Sequence, residues 1–169
     1  MKRRTAKKLS HINANHQAAM VDVGQKPITA RTATAEGTVH ISPALSSAIR
    51  RNLLAKGDVL ATARLAGIMA CKRTAEIIPL CHSIPLEIIE VHVTLRRGVV
   101  HIQATVRACW KTGVEMEALV AVTAAALTVY DMGKAVDRGM VIGSIRLLTK
   151  TGGTRGDYRA PDTASGAAP

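Results

Sequence analysis

The chain has 169 residues, 47% of them hydrophobic, and a formal net charge of +11 from 23 Lys and Arg against 12 Asp and Glu. This length favours one domain, which can bury about two-thirds of the surface of its unfolded chain without disulfides. With no Phe, one Trp and two Tyr, the chain lacks the aromatic side chains on which single-strand binders stack bases, so the composition argues against a nucleic-acid partner.

The basic residues and the cysteines indicate how the chain is organised and in which environment it works. Residues 1–9 are strongly basic and no apolar run follows them, so we expect a disordered leader rather than a signal peptide. A single domain over 10–158 and a disordered tail of small residues over 159–169 complete the predicted organisation. The three cysteines lack the spacing of a disulfide framework or a zinc site, so we expect no metal and a reducing, cytoplasmic environment.

The first predicted elements are a loop, a strand and a helix. Residues 9–26 show no sustained hydrophobic period, whereas 30–41 alternate small or apolar with polar side chains, as a half-buried strand does, with Arg31 near its start. Ser42 followed by a proline is typical of an N-cap and a first helical residue, which predicts a helix over 43–54.

A second helix and a proline-containing segment follow. Asp58 is the predicted N-cap of a helix over 59–74, and Lys72 in its last turn serves either as a favourable helix-end charge or as a phosphate contact. The segment IIPLCHSIP over 77–85 contains two prolines and cannot be regular throughout. Its cysteine is typical of a small buried side chain, and its histidine of either a hydrogen-bonded structural residue or a proton-transfer group.

Two strands are predicted over 84–95 and 99–109, joined by a tight turn at Arg96-Arg97-Gly98. The first strand, IPLEIIEVHVTL, has apolar side chains on both faces. A sheet with helices on one side leaves its other face open. Either the apolar side chains of the hairpin on that face are exposed to solvent, or a second subunit covers them. We favour the second explanation, a homo-oligomer.

The next helix carries carboxylates at its start. Thr112 and Glu115 form a T-x-x-E capping box, which explains one carboxylate as a helix cap, whereas Glu117 has no such explanation. Helical residues two apart point in different directions, so only one of these glutamates is expected to face a given ligand. Residues 118–130 carry no charge, as in a helix buried on all sides, and are too few for the about 20 residues that span a bilayer.

The far end of this helix carries an acid and a base. Asp131 and Lys134 lie three residues apart on one face, either as an ordinary ion pair or as a coupled acid/base pair. A last strand is predicted over 140–149, followed by a glycine-rich basic loop over 150–158 that does not match a P-loop. The order of the elements predicts an α+β sandwich with helices on one face of an antiparallel sheet.

The polar residues at the ends of these elements indicate a class of activity. Lys56 and Lys134 suit phosphate binding or acid/base chemistry, and His82 is the usual proton-transfer residue near neutral pH. We therefore predict a basic enzyme that acts on an anionic, phosphorylated small molecule. The alternatives are a non-catalytic nucleotide- or nucleic-acid-binding module and a purely structural homo-oligomer, although the latter leaves the polar groups beside apolar segments unexplained.

Six segments of the chain, in order, resemble one known family. They are SHINANHQAAMVDV (10–23), KGDVLATARLAGIMACKRT (56–74), IPLCH (78–82), KTGVEMEAL (111–119), YDMGKAV (130–136) and KTGGTRGDY (150–158). Over residues 10–158 they closely resemble the cyclic pyranopterin monophosphate synthases, the molybdenum cofactor biosynthesis protein C family. Trp110, just before the fourth segment, departs from the expected pattern and either covers the end of the sheet or lines the mouth of a pocket.

The resemblance implies a fold, a reaction and an assembly. The fold is ferredoxin-like, and the reaction is a lyase step of molybdenum cofactor (molybdopterin) biosynthesis. Acid/base catalysis converts (8S)-3',8-cyclo-7,8-dihydroguanosine 5'-triphosphate into cyclic pyranopterin monophosphate and pyrophosphate. The resemblance also implies no cofactor, no membrane or nucleic-acid partner, and a functional link to an upstream radical SAM enzyme. The implied assembly is a homohexamer, a trimer of dimers, with the site at a subunit interface.

Site residues follow from the resemblance, segment by segment. Asp131 is the implied catalytic residue, and Lys56 and Lys134 serve in catalysis or binding. The implied substrate contacts are Leu80, Cys81, His82, Met116 and Glu117, with Glu115, Arg31 and Lys72 as further matched positions. Arg31 and Lys72 are expected near the triphosphate.

Overall fold

The computed structural model describes residues 17–154 and 156–161. In chain order the elements are β1 (Thr29–His40), α1 (Pro43–Arg50), α2 (Val59–Cys71), α3 (Thr74–Ile77), β2 (Ile88–Arg96), β3 (Val99–Trp110), α4 (Glu115–Gly133), β4 (Val141–Thr151) and β5 (Tyr158–Arg159). The predicted leader and the predicted tail beyond residue 161 lie outside the described residues.

The five strands form one antiparallel sheet in the order β2-β3-β1-β4-β5. Its first four strands, with α2 and α4 as crossovers, have the connections of a ferredoxin-like fold, which confirms the predicted α+β class. The turn between β2 and β3 places Arg97 and Gly98 at φ angles of 49° and 77°. Two consecutive positive φ values are typical of a type I′ turn, whose twist matches that of the strands it joins.

The N-terminal caps of two helices agree with the sequence prediction. The Ser42 hydroxyl accepts a hydrogen bond from the Leu45 N–H, and the Asp58 carboxylate caps α2 in the same manner. Helix α1 ends earlier than predicted, because Asn52 adopts a left-handed conformation with φ 52°.

Helix α4 packs closely on the sheet because the facing side chains are small. The side of β1 that faces the helices consists of buried alanine, glycine and valine. A Cβ atom at Gly37 would lie only 2.6 Å from Val122 Cγ1, so the glycine permits the close approach of β1 and α4. A chain without Phe thus forms its core from many small side chains at short distances between elements.

Two predictions about α4 are wrong. The helix is not buried on all sides, since Thr123 and Leu127 are exposed. It also begins at Glu115 with Val114 at the N-cap position, so Thr112 lies outside the helix and no side chain caps it. At 19 residues α4 is long and apolar enough to cross a membrane, but half of its most apolar window is buried within the domain, as expected for a core helix.

The face of the sheet opposite the helices is largely polar. Glu36 and Arg146 pair across β1 and β4 on this face, with Arg146 Nε 2.8 Å from Glu36 Oε1. The strand predicted from residue 84 begins at residue 88, so Ile84 and Leu86 precede β2 and pack against the core. The two-sided apolar pattern therefore arises partly from residues that are not in the strand.

Candidate active site

A cleft of about 300 Å³ opens where β1 begins, β3 ends and α4 begins. All of the predicted substrate contacts except Lys72 line it, namely Arg31, Leu80, Cys81, His82, Glu115, Met116 and Glu117. Lys72 is exposed at the C-terminal end of α2 and does not line the cleft. Segments far apart in the sequence therefore meet at one end of the sheet.

The cleft contains more positive than negative side chains. Lys26, Lys111 and Lys150 line it together with Arg31, facing the two glutamates of α4. Sequence reasoning did not select these three lysines. Two of them share a sequence pattern that could have identified them. Lys111 and Lys150 each begin a Lys-Thr-Gly tripeptide at the end of a strand. Such a positive cleft suits a polyanionic ligand.

Backbone carbonyl groups orient Arg31. Its Nε donates to the Trp110 carbonyl oxygen at 3.2 Å and its Nη2 to the Lys111 carbonyl oxygen at 3.4 Å. The Trp110 side chain is not among the groups that line the cleft. The contribution of Trp110 there is its carbonyl oxygen, which helps to hold the guanidinium.

Both glutamates of the first turn of α4 line the cleft, contrary to the prediction that they would diverge. Glu115 is the first helical residue, and its carboxylate folds back over Gly113, where a Cβ would lie 2.7 Å from the Glu115 Cδ. Lys150 Nζ lies 3.9 Å from Glu115 Oε1 and pairs with the carboxylate. The missing side chain at residue 113 therefore allows two carboxylates to share the site.

Glu117 is the buried acid of the cleft, with 3% of its surface exposed. Burial raises its pKa to about 7, and the neighbouring charge of Glu115 adds to this effect. Near neutral pH its protonated and ionised forms are therefore both present. A carboxyl group in this state can donate or accept a proton, as general acid/base catalysis requires.

His82 has a structural contact as well as a place in the cleft. Its Nε2 lies 2.9 Å from the Val21 carbonyl oxygen. Because a carbonyl oxygen only accepts, Nε2 carries the hydrogen in this contact, and in a neutral ring Nδ1 is then the acceptor nitrogen. Burial also raises the pKa of the Cys81 thiol, and the charge of Glu117 adds to it, so Cys81 is disfavoured as a thiolate.

A second cluster lies at the opposite end of α4. Asp131 Oδ1 is 2.7 Å from Lys134 Nζ, and Asp131 Oδ2 is 2.6 Å from Lys56 Nζ. Hydrogen bonds from Lys134 and Lys56, with their positive charges, lower the pKa of Asp131 to about 2. All three side chains are about half exposed, so a ligand or another chain can approach them.

The two clusters are far apart within one chain. At about 1.5 Å per helical residue, Glu117 and Asp131 are separated by roughly 21 Å along the axis of α4. A proton-transfer group must come within about 2.6–3.2 Å of the atom it serves. One chain therefore cannot bring both clusters to the same reacting atom.

Comparisons with known proteins show that the chain belongs to one family over most of its length. The MoaC family model matches residues 20–153. The chain is 56% identical to the cyclic pyranopterin monophosphate synthase of Parvibaculum lavamentivorans, over 92% of this chain and 98% of that protein. It is 54% identical to the protein of the same name from Thermomicrobium roseum, over 91% and 94% of the two chains. Similarity to molybdenum cofactor biosynthesis protein 1 of Drosophila melanogaster is 50% identity over 96% of this chain and 29% of that protein.

Proposed function

Since the chain belongs to the MoaC family, we propose that it is a cyclic pyranopterin monophosphate synthase. In this role it converts (8S)-3',8-cyclo-7,8-dihydroguanosine 5'-triphosphate into cyclic pyranopterin monophosphate and pyrophosphate. The observation that carries the proposal is the basic cleft, in which four cationic side chains lie near a buried carboxyl group.

The chemistry of this reaction suits the residue types present. Opening one ring, closing another and forming a cyclic phosphate require proton transfers at different atoms, so several acid/base groups are needed. Both Glu117 and His82 line the cleft, and they are the proposed proton-transfer groups there. As a substrate hydroxyl displaces pyrophosphate, the cationic groups of Arg31, Lys111 and Lys150 offset the charge on the leaving group.

A complete site requires a second copy of the chain. We propose that Asp131, Lys134 and Lys56 of one subunit approach the cleft of its neighbour, because they are exposed and too distant from their own cleft. Exposed apolar side chains on the two long helices supply surface for such an association, and they include Leu65, Met69 and Leu127. A homohexamer, built as a trimer of dimers, is the proposed assembly.

The wider setting is part of the same proposal. One catalytic domain over residues 10–158 works in the cytoplasm, without a cofactor. An upstream radical SAM enzyme supplies the cyclised triphosphate. Asp131 is the proposed catalytic residue, and Lys72 is a proposed triphosphate contact that lies outside the cleft of its own chain.

The test is incubation of the purified protein with the cyclised dihydro-GTP substrate, with pyrophosphate and the pterin product assayed in parallel. Wild-type protein is expected to release both products, and Asp131→Ala neither, while its circular dichroism and oligomeric state stay unchanged. Absence of turnover by a folded, oligomeric wild-type protein would reject the lyase and leave a nucleotide-binding module. Affinity that falls steeply with salt and depends on residues 1–9 would favour that alternative.

A further inference from the structure

The loop after β4 lies directly against the guanidinium of Arg31. A Cβ atom at Gly153 would overlap Arg31 Nη1 and lie 2.8 Å from Cζ, so only a glycine leaves room for the side chain as it stands. A Cβ at Gly152 would likewise overlap the Ala30 carbonyl oxygen. The two glycines bring the loop backbone onto β1 and onto Arg31 at once.

Two backbone segments flank this guanidinium. The carbonyl groups of Trp110, at the end of β3, and of Lys111, directly after it, accept hydrogen bonds from Nε and Nη2, and the backbone at Gly153 lies next to Nη1. A guanidinium has five N–H groups, and within the described part of the chain only two of them have a hydrogen-bond partner, so the others can donate to an anion in the cleft. A side chain held in this manner loses less freedom when it binds, which raises affinity through preorganisation.

We propose that Gly153 is a positioning residue for substrate, because its missing side chain lets the loop backbone hold Arg31 towards the polyphosphate in the cleft. This inference rests on the proposed function, since it assigns Arg31 to the part of the triphosphate that leaves as pyrophosphate. Gly153 itself need not touch the substrate. Its contribution is the orientation of Arg31.

The chain contains a matched control for the test. Gly153 and Gly156 have φ angles of 87° and 72°, so alanine is strained at both positions. Among the residues that the structure describes, a Cβ at Gly156 meets nothing within 4 Å, whereas a Cβ at Gly153 displaces Arg31. Comparison of Gly153→Ala with Gly156→Ala therefore separates the displacement of Arg31 from strain in the loop.

The experiment measures the Kd for inorganic pyrophosphate by calorimetry, and KM and kcat with the cyclised triphosphate, in full-length protein. Gly153→Ala is expected to weaken pyrophosphate binding about tenfold, in the range of one charge-assisted contact, and to raise KM more than it lowers kcat. Gly156→Ala is expected to match the wild type in Kd and KM. In an Arg31→Ala background, Gly153→Ala should have no further effect on the Kd, since the two changes then remove the same contact.

Equal losses in the two alanine variants, or a Gly153→Ala effect that persists without Arg31, would overturn the inference. Wild-type protein that fails to bind pyrophosphate would overturn it as well, whatever its turnover. If the predicted pattern of Kd values is found in a protein that does not turn over the triphosphate, the positioning role stands and the lyase assignment fails.

Discussion

The Lys56 ammonium lies 2.6 Å from Asp131 Oδ2, although Lys56 precedes α2 and Asp131 lies in the last turn of α4. The Lys56 ammonium also donates to the Asp131 carbonyl oxygen at 3.1 Å. With Lys134 on Oδ1, both carboxylate oxygens have a cationic partner, which fixes the orientation of the group. These ion pairs favour the folded state above the ordinary pKa of 3.8 and are lost as the pH falls through about 2.

Removal of Lys134 should impair catalysis without unfolding the protein. In Lys134→Ala the pKa of Asp131 rises towards its ordinary value and the carboxylate loses one of its two orienting contacts. We expect kcat to fall about 100-fold or more, the range for a disturbed acid/base group, as measured by pyrophosphate release across pH 5–9. Arg50→Ala, which removes an exposed cation from the end of α1, is the control. Normal turnover by Lys134→Ala would exclude a coupled pair.

Two inactive variants should complement each other if the site is shared between chains. Asp131→Asn and Glu117→Gln damage opposite ends of α4, so a mixed interface contains one cleft with both intact clusters. After co-refolding of equal amounts, random pairing should restore about a quarter of wild-type turnover at a two-fold interface. The control is each variant refolded alone. Recovery no greater than the sum of the two separate variants would place the complete site within one chain.

The stability of the protein should depend on pH through Glu117. The folded state holds this proton up to a pH of about 7, against an ordinary pKa of 4.5, so the free energy of unfolding falls as the pH rises between these values. Glu117→Gln removes the buried charge and should stabilise the protein above pH 7 by up to roughly 3 kcal/mol, with little effect near pH 4.

Urea unfolding at pH 5 and pH 8 measures this difference. The control is Glu87→Gln, an exposed carboxylate for which we expect a change within about 0.5 kcal/mol at either pH. A stabilisation by Glu117→Gln that is equal at the two pH values would show that burial of the charge is not its cause.

A substitution in the β2–β3 turn should increase the stability of the protein. Arg97 holds a positive φ of 49°, a conformation that asparagine adopts more readily than other residues with side chains. Arg97→Asn should therefore raise the free energy of unfolding by about 0.5 kcal/mol, read from the midpoint of chemical denaturation. Arg96→Asn, in the adjacent strand, should give no such gain. A loss of stability in Arg97→Asn would show that the arginine makes a contact that outweighs the strain.

Local patterns in the sequence predicted local structure well. The caps at Ser42 and Asp58 and the alternation in β1 depend on neighbouring residues, and the structure confirms them. The start of α4 depends on contacts with other segments, and there the capping box at Thr112 failed.

The residues of the cleft also differ in how far the sequence predicted them. Its matched segments came from resemblance, but Lys26 lies in a loop without periodicity, and only the folded chain brings it beside α4. The sequence already placed Glu117 and Asp131 near opposite ends of one predicted helix, and the structure confirms that placement.

Helix α4 connects the two clusters directly, so the number of residues in the helix sets their relative position. One inserted residue would rotate Asp131 by about 100° around the axis relative to Glu117 and move it by about 1.5 Å. Such a rotation would carry the Asp131 carboxylate away from Lys56, which lies in the loop between α1 and α2. Insertions and deletions within α4 should therefore be poorly tolerated.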